Sequence, residues 1–155
     1  MSEILAQPAL PRPTWDEWYI DIAKKWAERS KDPSTQCGSV IVRADKTECS
    51  TGYNGFPRRI ADRPELLNDR PEKYRRVIHA EVNALLNAYE RVNGYTLYVW
   101  PFMTCERCAV QIIQAGIMRV VAPAAVTEDQ KKRWEESHAL SMQLYQEAGV
   151  AVTIV

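Results

Sequence analysis

The sequence predicts a layered α/β domain, and three observations carry that prediction. Short stretches of strand character alternate with longer helical patterns, Gly and Pro punctuate the junctions, and the length suits one core. The 155 residues are 46% hydrophobic, enough for a sizeable single domain without room for a second large one. Residues 1–13 read as an N-terminal extension and 14–155 as the domain.

Prolines at positions 8, 11 and 13 keep the start of the chain out of regular structure. Thr14 then caps a helix that ends near SKDPS, with Trp15, Trp18, Tyr19, Ile22 and Trp26 on its apolar face. Residues 37–42 and 48–53 read as an antiparallel hairpin turning at Ala44-Asp45-Lys46. The next stretch, GYNGFPRRIADRPELLNDRPEKYRR, is rich in turn formers and charges and has no clean period. It is expected to be a long surface loop with one short helix over 65–68, and such loops inside compact domains are functional or disordered. Then follow a helix over 80–91, a strand over 96–100, a helix over 105–114 and a strand over 118–122, with Gly94 and Gly116 as helix stops. A helix over 128–148 and a strand over 150–155 complete the chain, which shows no internal repeat.

Twenty basic residues balance 20 acidic ones, so the field that a nucleic-acid-tracking protein needs is missing and a small substrate is the better expectation. Apolar runs are too short to span a bilayer, and the opening MSEILAQPALPRP lacks the features of a leader. A cytoplasmic protein with no membrane partner is expected. In that compartment the four cysteines point to metal or redox chemistry rather than to disulfides.

Two stretches carry chemistry. VIHAEVNALL places His79 and Glu81 at the head of a helix, and MTCERC places Cys105 and Cys108 one turn apart at the start of another. Unpaired N–H groups and the helix dipole favour thiolate there, and thiolate is what a metal binds. His79, Cys105 and Cys108 supply three zinc ligands, which leaves a tetrahedral position for water. Glu81 is then a free carboxylate beside that water, placed to take its proton and return it to a leaving group.

The order HAE, then TCERC some two dozen residues later, resembles the zinc-dependent cytidine deaminase superfamily, whose signature is H-x-E…P-C-x-x-C. Thr104 replaces the signature proline and is expected to preserve zinc binding as a helix cap. RSKDPSTQCGSVIV, STGYNGFPRRIAD and IIQAGIMRVV narrow the resemblance to the deoxycytidylate deaminase branch.

The resemblance implies a three-layer α/β/α sandwich around a central five-stranded mixed sheet, Zn2+ held by His79, Cys105 and Cys108, and Glu81 as proton shuttle. It assigns substrate binding to Asn54, Ala80, Ser30 and Lys31. It places an effector or phosphate site at Gly52, Tyr53, Gly55, Arg58 and Arg59, for dCTP or dTTP accompanied by Mg2+. Relatives that bind these effectors usually have glycine after GYNG.P, where this chain has Arg58 and Arg59. The loop before HAE lacks the extra Cys and His of relatives with a second, structural zinc, so one zinc per chain is expected. Homo-oligomers, often hexamers, are also implied.

Other residues have plainer readings. Cys37 and Cys49 read as small core hydrophobes, His138 as solvated surface on a charged helix, and the indoles at 15, 18 and 26 as core or subunit interface. Trp100, which ends a strand just before PFMTC, either packs or walls a substrate pocket. Arg58, Arg59, Arg63, Arg70, Lys73, Arg75 and Arg76 outnumber the acids of their loop; most such charges are solvated, yet a phosphate needs a cation.

The expected activity is hydrolysis of dCMP to dUMP and ammonia, a supply of dUMP for thymidylate synthesis. Two alternatives stay open: another cytosine nucleotide or nucleoside as substrate, or a structural-zinc module closed by Cys37, Cys49 or His138. A redox role for the cysteine pair is disfavoured, because the early C-x-x-C of a thioredoxin-like chain is missing.

Overall fold

In the computed structural model, residues 8–155 are described; the first seven residues of the predicted extension lie outside them. Helix α1 (Trp15–Ala27) opens with a capping box, in which Thr14 accepts from the Glu17 N–H while Glu17 accepts from the Thr14 N–H. Its buried face is Tyr19, Ile20, Ala23 and Ala27; of the expected apolar face Tyr19 is core and Ile22 packs against it, whereas Trp15 and Trp18 stay 53% and 47% exposed and Trp26 also reaches solvent. Close approach decides this in favour of alanine, because α1 lies directly on strand β1 (Gly38–Val42).

Gly38 is the contact point. A Cβ there would sit 1.9 Å from the Ala23 carbonyl oxygen and 2.6 Å from the Ala27 nitrogen, both helix backbone that has no rotamer to give. Gly38→Ala is therefore expected to destabilise the fold by about 3 kcal/mol, read as a lowered urea midpoint at unchanged m-value. An unchanged midpoint would refute the close packing.

Strand β2 (Glu48–Tyr53) pairs antiparallel with β1, the chain turning at Lys46 in the left-handed region. Strand β3 (Thr96–Trp100) takes the other edge of β1, also antiparallel, and is followed in the sheet by the parallel strands β4 (Arg119–Ala122) and β5 (Ala151–Ile154). The order β2-β1-β3-β4-β5 makes one five-stranded mixed sheet.

Alternation along the strands sorts the core into two layers. Val40, Val42, Tyr98 and Val121 meet α1 on one face. Ile41, Leu97, Val99, Val120 and Ala122 face the other side, covered by the later helices through Ala84, Ala109, Ile112 and Tyr145. The fold is the expected three-layer α/β/α sandwich.

Between β2 and the HAE motif the chain is more regular than expected. Helices α2 (Pro64–Leu67) and α3 (Arg70–Arg76) both carry Pro in the first turn, and Asp69 caps α3 by accepting from the Glu72 N–H. Helices α4 (Ala80–Asn87) and α5 (Glu106–Ala115) cover the sheet, with α5 stopped by left-handed Gly116. Helix α6 (Glu128–Ala148) keeps the expected bounds; α4 ends earlier than the expected residue 91. Among the described residues no helix is long and apolar enough to cross a membrane.

Candidate active site

Two helix N-termini converge beyond the end of β3. His79 is the N-cap of α4 and Cys105 the N-cap of α5, both with extended backbone that carries the side chain forward of its own helix. The cap is thus Cys105 itself and not Thr104: its Sγ accepts from the Cys108 N–H at 3.4 Å. Thr104 does other work. Fully buried, it shares a 2.8 Å hydrogen bond with the Tyr145 hydroxyl, and its carbonyl accepts from Ser141 Oγ at 2.8 Å, so α6 braces the ligand loop. Gly52 sets the other helix: a Cβ there would lie 2.4 Å from both the Ala80 oxygen and the Ala84 nitrogen, so β2 seats the first turns of α4.

His79 Nδ1 lies 3.5 Å from Cys105 Sγ and 3.3 Å from Cys108 Sγ. Tetrahedral zinc with S at roughly 2.3 Å and N at roughly 2.0–2.1 Å requires N–S separations of about 3.6 Å, so the donor set fits that ion. Among the described residues this triplet is the one group of His, Cys, Asp or Glu with metal-holding spacing. Cys37, Cys49 and His138 stand outside it, which removes the fourth ligand a closed structural centre needs.

Electrostatics favour a cation at the same point. A hydrogen bond from Cys108, then the His79 imidazole, holds the Cys105 thiol far down, to about 4. His79 is raised to about 9 by its contact with Cys105, against burial. Cys108 is pushed up, first by Cys105 and then by burial, so the two sulfurs share one negative charge between them and a divalent ion stabilises the second. Glu81, in the first turn of α4 and 5% exposed, has its pKa raised by burial. Its Oε2 is 3.8 Å from Cys108 Sγ.

His79, Glu81 and Cys105 line a cavity whose walls come from widely separated parts of the chain. His79 and Glu81 share it with Cys37, Asn54, Trp100, Phe102, Lys73, Arg133 and His138. Trp100 is on the wall, beneath Lys24, whose Nζ lies 5.0 Å from the ring centroid. Asn54 is there as a brace: Oδ1 accepts from the Cys37 N–H at 2.8 Å and Nδ2 donates to the Thr35 carbonyl at 2.9 Å. Ser30, also buried, donates to the Asn54 carbonyl, while Lys31 points to solvent with Asp62. Ala80 is buried at the start of α4.

Two expectations of solvated charge are overturned. Lys73 is 4% exposed, its ammonium donating to Asp32 at 2.9 Å and Ser34 at 3.0 Å. His138 has a buried Nε2 and sits against Phe102 and Trp134 at centroid distances of 5.3 and 6.1 Å; burial lowers its pKa. The signal that could have found it is spacing, since positions 134, 138, 141 and 145 fall on one stripe of α6.

The expected effector set is elsewhere. Gly52, Tyr53, Gly55 and Arg58 line a second cleft with Trp26, Asn83 and Asn87, and Arg58 donates to Asn87 Oδ1 at 3.2 Å. Arg59 is exposed, in the left-handed region at φ 71°.

A sandwich that aims two helix N-termini at a His-Cys-Cys triplet with a buried carboxylate beside it defines a class, the metal-dependent α/β enzymes. Residues 13–124 match the model of the cytidine and deoxycytidylate deaminase zinc-binding region. The chain belongs to this family of zinc-dependent deaminases. It is 38% identical over 139 residues to an uncharacterized deaminase of Aliivibrio fischeri, covering 90% of this chain and 92% of that one. With the deoxycytidylate deaminase of Homo sapiens it shares 38% identity over 127 residues, 78% of this chain and 71% of the human one. The crystal structure of the dCMP deaminase of cyanophage S-TIM5 in complex with dCMP and dUMP has the same fold, with TM-score 0.72 at 22% identity over 94% of this chain and all of that one.

Proposed function

We propose that this protein deaminates dCMP hydrolytically to dUMP and ammonia. Extended similarity to proteins named deoxycytidylate deaminase carries the choice of substrate, and the buried carboxylate beside the metal triplet supports the chemistry. His79, Cys105 and Cys108 would hold a zinc ion, which would supply the Lewis-acid chemistry that ionises water near neutral pH.

Glu81 does the proton work. Its carboxylate accepts one proton of the attacking water and passes it to N3 of the ring, so that C4 becomes more electrophilic and the hydroxide bonds to it; Glu81 then takes the remaining proton from the new C4 hydroxyl and gives it to the amino group, which leaves as ammonia as the C4–N bond breaks. Burial raises its pKa, which suits a group that must hold a proton between two transfers. Trp100 and Phe102 give the ring apolar walls, and Asn54 fixes the loop under it. The cleft around Gly52, Tyr53, Gly55 and Arg58 is the place for a dCTP or dTTP effector with Mg2+, and the half-exposed Trp15 and Trp18 serve as contacts of a homo-oligomer.

The test is incubation of zinc-loaded protein with dCMP, CMP, deoxycytidine, cytidine and dCTP in separate reactions, with products resolved by chromatography. The expected result is dUMP from dCMP at the highest rate. Zinc-loaded protein that leaves dCMP untouched would sink the proposal.

A further inference from the structure

A phosphomonoester entering the cavity needs a cationic partner. Of the side chains lining it, the Lys and Arg members are Lys73 and Arg133. Lys73 is already committed to Asp32 in a pair whose side chains are 5% and 9% exposed, with Ser34 Oγ accepting a further hydrogen bond from its ammonium. Pulling it away would strand a buried carboxylate.

Arg133 is held differently. Its ion pair is to Asp129, a turn earlier on α6 and 77% exposed, and such surface pairs contribute little and exchange readily. Its fork of N–H groups matches a phosphate in two-pronged fashion. Position is also secured. Trp134, the next residue, packs on Phe102 at 5.9 Å, and lower on the same helix Ser137 hydrogen-bonds to Glu106 at the start of α5 and Ser141 and Tyr145 to Thr104 of the ligand loop. The stretch of α6 that carries Arg133 is thereby fixed relative to the metal triplet and its side chain lines the same cavity, whereas Arg58 lines the other cleft.

We propose that Arg133 binds the substrate phosphate and sets the preference for nucleotide over nucleoside, an inference that rests on the dCMP reading above. It assigns to α6 a recognition role beyond the bracing of the ligand loop.

Wild-type and Arg133→Ala holoenzymes are to be compared on dCMP and on deoxycytidine. The expected result is a drop of roughly 10- to 100-fold in kcat/KM for dCMP, carried mainly by KM, and a matching collapse of the dCMP-to-deoxycytidine ratio. Arg133→Lys, which keeps charge but not the fork, should restore part of that ratio. Should the alanine variant be unstable, Arg133→Gln carries the same comparison, with zinc content and Tm read on each sample. An unchanged ratio in a folded, zinc-loaded variant overturns the role of Arg133 and leaves the deaminase reading standing. Wild-type enzyme inactive on both substrates overturns the two together.

Discussion

Glu81→Gln is expected to lower turnover of dCMP by on the order of 10²–10⁴-fold while zinc content stays at the wild-type level. The separation of the two readouts follows from position. Glu81 stands in the first turn of α4, is 5% exposed, and lies outside the His79, Cys105 and Cys108 triplet, so an isosteric amide leaves the donor set intact. What the amide cannot do is accept and return a proton. The acid is prepared for that transfer by its surroundings, since burial dominates and raises its pKa, with the His79 charge opposing. A glutamine in the same place also relieves the cost of a buried ionisable group, so the variant should be at least as stable as wild type. Steady-state rates on dCMP, with zinc measured by atomic absorption on the same sample, check both halves. Near-normal activity would remove Glu81 from the mechanism, and loss of zinc would show it to be a ligand.

Local spacing made the candidate metal site legible in the sequence, and tertiary packing hid the walls of its cavity. HAE and CERC are each short, each heads a helix, and the physics of helix N-termini already says what sits there. The sheet was readable for a similar reason, since strands such as TLYVW are buried on both faces and read as continuous apolar runs. Lys73 was not readable, because its partner Asp32 is 41 residues away and a charged loop looks solvated until α3 folds the lysine inward. His138 was hidden for the opposite reason: α6 is polar over most of its surface, and its one inward stripe of Trp134, His138, Ser141 and Tyr145 is thin. Thr104 shows how a signature can shift roles. In the place of a φ-fixing proline, it secures the ligand loop by hydrogen bonds to α6 instead of capping α5.

Cys108→Ala is expected to strip the metal, with zinc per chain falling from about one to near zero and affinity lowered by more than about 100-fold. The two remaining donors, His79 Nδ1 and Cys105 Sγ at 3.5 Å, cannot close a tetrahedral site, and no further His, Cys, Asp or Glu among the described residues replaces the lost sulfur. The fold should survive, because Cys108 is a small residue within α5, a member of the buried cluster, and trimming it to alanine leaves only a small cavity. Cys49→Ala supplies the contrast: that cysteine lies beside Glu90 and Arg43, away from the triplet, and its variant should keep full zinc. Ligands must be deprotonated to bind, and both His79 and Cys108 sit above their ordinary pKa values, so zinc uptake releases protons and acid weakens it. Titration of the apoprotein with zinc against a competing chelator at two pH values measures affinity and its slope together. Full zinc in the Cys108→Ala protein would mean that the metal lies elsewhere, and the convergence of the α4 and α5 N-termini would then need another explanation.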